Sequence, residues 1–283
     1  MTSTNTKSVT LDGTTYHTTY SIPAPTTSQR DPTTAPLVVL IHALMASSEM
    51  YTHTTTTLLS NSYRILSYDH IGHGQSPPPA PSTTLSFDAM THHLHRLLTP
   101  YTTTAPHALI GCSMGAVLAI RYSTLFPPPS RIMALGIPGF SALEEAKHLW
   151  SDRIERFRAD VRDGTDGLAR ATAERWLPGR EERSVVARAK ALGMTKRCSL
   201  EGYVVCADAI RGYDYGPVLG EVGGKVLVLI GSRDSAVGDV EKLRRASEKI
   251  PRCEFVVMDG VGHLPPVHDE ERFEERMLSF LKQ

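Results

Sequence analysis

Six short runs rich in apolar and β-branched residues recur along this 283-residue chain, and most are followed by a turn and a segment of helical period. The runs are Leu37 to Ile41, Ile65 to Tyr68, Ala108 to Gly111, Ile132 to Ile137, Val226 to Ile230 and Glu254 to Met258. A strand that is apolar on both faces must be covered on both sides. When such strands alternate with helices, the arrangement that satisfies them is a parallel sheet between two helical layers. Helical spacing of apolar residues predicts helices at Ser48 to Leu59, Phe87 to Leu98, Met114 to Leu125, Asp239 to Ile250 and Glu270 to Leu281. Ahead of the first run, two alternating segments, Ser8 to Leu11 and Thr14 to Ile22, flank Asp12-Gly13 and predict a hairpin. The Pro- and Thr-rich stretch Pro23 to Pro36 then reads as a loop.

From Ser141 to Gly216 the alternation stops and only helical period remains. Its apolar positions include Leu143, Leu149, Trp150, Ile154 and Phe157, then Ala169, Ala173, Trp176 and Leu177. Two further helices are expected at Ser184 to Leu192 and Ser199 to Ile210, with Ser184 and Ser199 as N-caps. The expected organisation is an α/β core of residues 1–140 and 217–283 with an all-helical cap, or lid, of residues 141–216 inserted into it.

Thirty basic and thirty acidic residues balance, so no basic field points to nucleic acid and no polybasic segment points to an anionic membrane. No apolar run reaches membrane-spanning length, and Met1 to Lys7 has no apolar signal region, so the expected location is cytoplasmic. Cys112, Cys198, Cys206 and Cys253 lack the paired spacing of a zinc site or redox dithiol. His92, His93 and His95 share one predicted helix but lack further ligands of fixed geometry, so neither a metal nor a cofactor is expected.

The segment Gly111-Cys112-Ser113-Met114-Gly115 places a serine between two glycines at the join of a predicted strand and helix. Alone it is weak, since composition yields such a pentapeptide in roughly one chain in ten of this length. In a parallel α/β sheet, however, reactive groups gather at the C-terminal ends of strands. Two more such ends carry suitable residues: Asp234 follows Val226 to Ile230, and His263 follows Glu254 to Met258 in a Gly-rich loop. They lie 29 residues apart, room for one helix and one strand. Serine, then acid, then histidine is the chain order of one catalytic triad. The serine needs a base to be nucleophilic and N–H donors to hold the developing oxyanion. Met114, opening its helix, has a free N–H, and Leu44, after Leu37 to Ile41, is the expected second donor. His268 is the alternative base.

These motifs identify the chain as similar to α/β-hydrolases, and within them it resembles the 3-oxoadipate enol-lactonase branch. The resemblance runs from Leu37 onward and rests on His42, Tyr68 to Ser76, Gly111 to Gly115, Glu174-Arg175-Trp176, Glu201-Gly202-Tyr203 with Cys206 and Ala209-Ile210, Gly231 to Asp234 and Gly262 to Pro266. It implies an α/β-hydrolase fold and an ester-cleaving enzyme. The chain departs from the family pattern after His42, where Ala43-Leu44-Met45 is more apolar than usual. A dicarboxylic substrate would need cations, for which Arg121, Arg153, Arg156, Arg158, Arg175 and Arg211 are candidates. Met45, Trp150, Trp176 and Tyr203 are candidates for the pocket wall. Asp69 to Ser76 reads as a tight structural turn, with Ser76 capping the next segment.

The expected function is a cofactor-free serine hydrolase cleaving a carboxylic ester or lactone through an acyl-enzyme on Ser113. An alternative keeps that acyl-enzyme but loads it from a thioester, for example a polyketide chain on an acyl carrier protein, and releases the product as a lactone. Cleavage of C–C bonds and cofactor-free peroxidation use the same triad. The alternative from another class is a small-molecule receptor on a hydrolase fold.

Overall fold

The computed structural model describes residues 2–26, 31–142, 144 and 147–283. Its centre is an eight-stranded sheet: β1 (Ser3–Leu11), β2 (Thr14–Ile22), β3 (Leu37–Ile41), β4 (Arg64–Asp69), β5 (Ala108–Cys112), β6 (Arg131–Leu135), β7 (Lys225–Gly231) and β8 (Cys253–Met258). The order across the sheet is β1-β2-β4-β3-β5-β6-β7-β8. From β4 to β8 neighbouring strands are parallel, while β1 and β2 join as an antiparallel hairpin on the β4 side. Every residue of β3 and β5 is buried, as continuous apolar runs require when helices cover both faces. Each buried Val, Leu or Ile contributes roughly 1.5–3 kcal/mol of transfer free energy.

The helices are α1 (Thr52–Ser60), α2 (Phe87–Leu98), α3 (Met114–Leu125), α4 (Lys147–Asp163), α5 (Gly167–Trp176), α6 (Glu182–Thr195), α7 (Leu200–Arg211), α8 (Val240–Ser247), α9 (Pro265–His268) and α10 (Glu270–Lys282). α1 packs with α10, and α2 packs with α3. Between β6 and β7 the chain runs through α4 to α7 without entering the sheet, and a bridge between Ser141 and Asp214 joins the two ends of this excursion.

Several boundaries differ from expectation. β1 begins at Ser3 rather than Ser8, because its polar, exposed side chains hide a strand that pairs on one side only, with β2. β6 stops at Leu135 rather than Ile137, since Gly136 turns the backbone at φ 52. Ser48–Tyr51 is a 3-10 turn that precedes α1, and Pro32–Thr34, inside the expected loop, is another. α8 ends at Ser247 rather than Ile250, with Asp239 capping its start through the Lys242 N–H. Ser199 does cap α7, accepting from the Gly202 N–H at 3.0 Å. Ser184 is no cap: α6 starts at Glu182 after Glu181, and Ser184 sits in its first turn. Leu143 lies outside the described residues.

The strand order locates the site. After β3 the chain steps to one side to form β4, then returns past β3 to form β5 on the other side. Such a reversal leaves a crevice beyond the C-terminal ends of the strands. The loops after β3 and β5 both open there.

Candidate active site

Ser113 joins β5 to α3 at φ 54 and ψ −114, a region that residues with a side chain rarely occupy. The strain is held from several directions. The Ser113 N–H donates to the Leu135 carbonyl at 2.7 Å. A Cβ on Gly111 would lie 2.1 Å from the Gly115 carbonyl oxygen, and one on Gly115 would lie 2.2 Å from that of Ile41. Both glycines are therefore required by close backbone approach. Met114 is the first residue of α3, so its N–H has no acceptor within the helix.

Beyond β7, Asp234 is buried, and its Oδ2 accepts from His263 Nδ1 at 2.8 Å while Oδ1 accepts from the Ala236 N–H at 2.9 Å. This bond places the His263 proton on Nδ1 and leaves Nε2 as the ring's acceptor. His263 is itself buried. Its backbone N–H donates to the Trp176 carbonyl at 2.7 Å, and its carbonyl faces the Cys112 thiol at 3.6 Å. Burial pushes that thiol's pKa well up, which keeps it a neutral packing group.

The loop after β3 makes a tight turn closed by the Ala46 N–H to Ala43 carbonyl bond at 3.0 Å, with Leu44 and Met45 at its corners and Met45 at φ 63. Three buried histidines stand behind it. His42 Nδ1–H donates to the Ala43 carbonyl at 2.7 Å, and its Nε2 accepts from the His70 N–H at 2.8 Å. His70 Nε2–H returns to the His42 carbonyl at 3.0 Å, and His73 Nδ1–H donates to the Ile71 carbonyl at 2.8 Å. Burial drives all three below the ordinary histidine range, His73 to about 4. Asp69 joins this loop to β4, accepting from the Ser48 N–H at 2.7 Å and the Gln75 N–H at 2.9 Å. Ser76 does not cap a segment; its hydroxyl donates to the Asp69 carbonyl and accepts from the His17 N–H.

Ser113, Met114, Leu44 and His263 line one cavity of about 270 Å³. Met45, Trp150, Trp176 and Tyr203 line it too, and Tyr203 is held by the edge of Phe157. The candidate arginines separate by their partners. Arg121 pairs with Asp88 at 2.8 Å, Arg158 with Glu155 at 2.5 Å, Arg211 with Asp208 and Ser151, and Arg156 donates to the Gly167 carbonyl. Arg153 stacks on Trp150, and Arg175 has its Nε buried without a hydrogen-bond partner. Both line the cavity, and among the described residues neither forms an ion pair. Burial, reinforced by repulsion from Arg153, lowers the Arg175 pKa to about 10.

His268 faces away from this cavity's chemistry. It ends α9, and both of its ring nitrogens are bonded elsewhere, to the Gly262 N–H and Ser184. In α2, His93 bonds Tyr16 and Asp12, and His95 bonds Tyr122, so the two turn to different partners.

A parallel sheet with a strained serine after its fifth strand, and an Asp–His pair after its last two, defines a class of α/β proteins built around that serine. The family profile described as the alpha/beta hydrolase fold matches residues 36–269, and the chain belongs to this family. RutD of Agrobacterium fabrum, provisionally named a carbamate hydrolase, is 25% identical over 252 residues, covering 87% of this chain and 93% of RutD. A polyketide synthase, ThaQ of Burkholderia thailandensis, is 26% identical over 254 residues; these are 88% of this chain but only 12% of ThaQ. Among solved structures, the enol-lactonase from Burkholderia xenovorans superposes with a TM-score of 0.82 at 21% identity, covering 98% of this chain and 100% of that one.

Proposed function

We propose that this protein is a serine hydrolase of small carboxylic esters or lactones. The observation that carries the reading is the buried His263–Asp234 bond of 2.8 Å on the same cavity as strained Ser113. His263 Nε2 takes the Ser113 proton as Oγ attacks the carbonyl, and the Ser113–acyl bond forms. The N–H groups of Leu44 and Met114 hold the oxyanion, each worth about 3–4 kcal/mol in the transition state. The imidazolium then protonates the leaving oxygen as the C–O bond breaks. Asp234 keeps the proton on Nδ1 and stabilises the cation. Water, deprotonated by His263, releases the acid and restores the serine. Residues 141–216 act as a cap whose Trp150, Trp176 and Tyr203 shape the acyl pocket, with Met45 from the turn below. The names carried by RutD and the Burkholderia enol-lactonase, hydrolases of a carbamate and a lactone, favour a small substrate.

A fluorophosphonate probe tests the reading. Wild type should be labelled at Ser113 and lose activity stoichiometrically, while Ser113→Ala should be folded, unlabelled and inactive. A folded wild-type protein that resists the probe and hydrolyses no ester is the receptor of the alternative reading.

The match to a stretch of ThaQ favours one second reading, in which the acyl group arrives as a thioester and leaves as a lactone. Supplied with a hydroxyacyl thioester, the protein would then release cyclised product. Free acid alone supports hydrolysis.

A further inference from the structure

The mechanism leaves His268 unused, yet both of its ring nitrogens are committed. The Gly262 N–H donates to Nδ1 at 2.7 Å, so the ring proton resides on Nε2. Nε2 lies 2.7 Å from Ser184 Oγ, and the Ser184 hydroxyl donates in turn to Glu181 Oε1 at 2.9 Å. The same carboxylate oxygen accepts from Arg233 Nη1 at 2.5 Å. With Gly262 donating at one end and a carboxylate accepting at the other, every proton in this relay has one possible direction.

The relay matters because of where it begins and ends. Gly262 immediately precedes His263, and Arg233 immediately precedes Asp234. It therefore starts one residue before one partner of the 2.8 Å bond and finishes one residue before the other. Between them it passes through α9 and the first turn of α6, which belongs to the helical excursion rather than the sheet. Arg183, beside Ser184, adds a second tie by pairing with Asp269 at 2.8 Å and reaching the Gly260 carbonyl. Gly262 packs closely on the end of α5, where a Cβ would lie 2.1 Å from the Trp176 carbonyl oxygen.

We infer that His268, acting through Ser184 and Glu181, is a positioning residue that fixes the backbone before His263 and so the imidazole's bond to Asp234. The inference rests on the reading of His263 as general base. Without an acceptor at Nδ1, the buried Gly262 N–H is unsatisfied and the loop must move to find one. Displacements of about 1 Å at a reacting group cost on the order of a hundredfold in rate.

Three variants of the full chain test this. His268→Leu keeps bulk and removes both bonds, His268→Asn restores an acceptor near the Nδ1 position, and Ser184→Ala cuts the relay at its second link. Turnover is expressed per active site titrated with the phosphonate. His268→Leu is expected to lower kcat about tenfold or more with KM within about twofold, and Ser184→Ala to lower it less. His268→Asn should recover most of the loss. Independently, the His263 Nδ1–H resonance at low field in the proton NMR spectrum should be sharp in wild type and His268→Asn, and exchange-broadened in His268→Leu. Wild-type turnover per titrated site in His268→Leu overturns the inference. So does a loss confined to the number of titratable sites, which marks a folding defect. The resonance needs no turnover: should wild type resist the phosphonate, the hydrolase reading fails alone, and the spectrum still decides whether His268 holds His263.

Discussion

Ser113 is held at φ 54 and ψ −114 although it carries a side chain, a conformation that costs of order 1–3 kcal/mol. Glycine enters this region freely but loses about 0.5–1 kcal/mol through its unfolded-state entropy. Ser113→Gly is therefore expected to gain about 1 kcal/mol, raising Tm by about 2–4 °C, and to lose turnover entirely. A lower Tm by calorimetry would contradict stored strain at this residue. Arg175 makes the opposite use of its surroundings, leaving a cation's Nε buried without a partner. A buried donor left without an acceptor is destabilising, so Arg175→Met is expected to keep or raise Tm. The same variant should raise KM about tenfold, or about 1.4 kcal/mol, for esters whose acyl group bears a carboxylate. Uncharged esters should change little, which steady-state kinetics on a matched pair would check.

At the scale of elements, the turns after β3 and β4 rest on His42, His70 and His73, all buried. Each has its pKa lowered by burial, His73 to about 4. The folded state thus resists protonation that the unfolded chain accepts below about pH 6.5. Their contribution is intact above that value and is lost progressively as pH falls toward the lowered folded-state pKa values, about 4 for His73, each histidine steepening the decline by up to about 1.4 kcal/mol per pH unit. Urea unfolding at several pH values in this window should show the fall; a flat profile would exclude it. These turns also mark the limit of what the sequence reveals. The β3–β7 runs were legible because burial on both faces leaves a continuous apolar signature, and β8, though half-exposed, because Phe255, Val256, Val257 and Met258 still form an apolar run; Ser113, Asp234 and His263 each follow one of these runs. β1 was legible only in its second half, since Ser3 to Lys7 are exposed and polar. The relay from His268 through Ser184 to Arg233 left no local signal, because its bonded partners are separated by up to 84 residues and meet only in three dimensions. Ser184 accordingly read as a cap, and His268 as a spare base.

At the scale of the whole molecule, the helical excursion and the sheet meet around one cavity, whose lining draws on the turns after β3 and β5, the loops after β7 and β8, and α4, α5 and α7. Regions with fewer buried apolar contacts open more readily. Buried residues in α4 are sparse, with Ile154 the one buried apolar side chain. Hydrogen exchange is therefore expected to be faster in α4 than in β3 and β5. Attaching a phosphonate to Ser113 should slow exchange in α5 and α7 through added contacts with the folded state and leave the β1–β2 hairpin unchanged. Uniform slowing, or none, would argue against a cap that closes on the acyl group.

The loop that carries His263 follows β8, which has a neighbour on one side only and whose side chains are largely half-exposed, with Val257 40% exposed. Ser113, by contrast, follows β5 at the enclosed centre of the sheet. The sheet thus holds the two residues with unequal firmness. Edge strands open more readily than central ones, so mild heat or denaturant is expected to loosen His263 while Ser113 is still in place. On the proposed hydrolase reading, activity would then be lost by a local event, recovered when one strand pairs again, before the molecule unfolds.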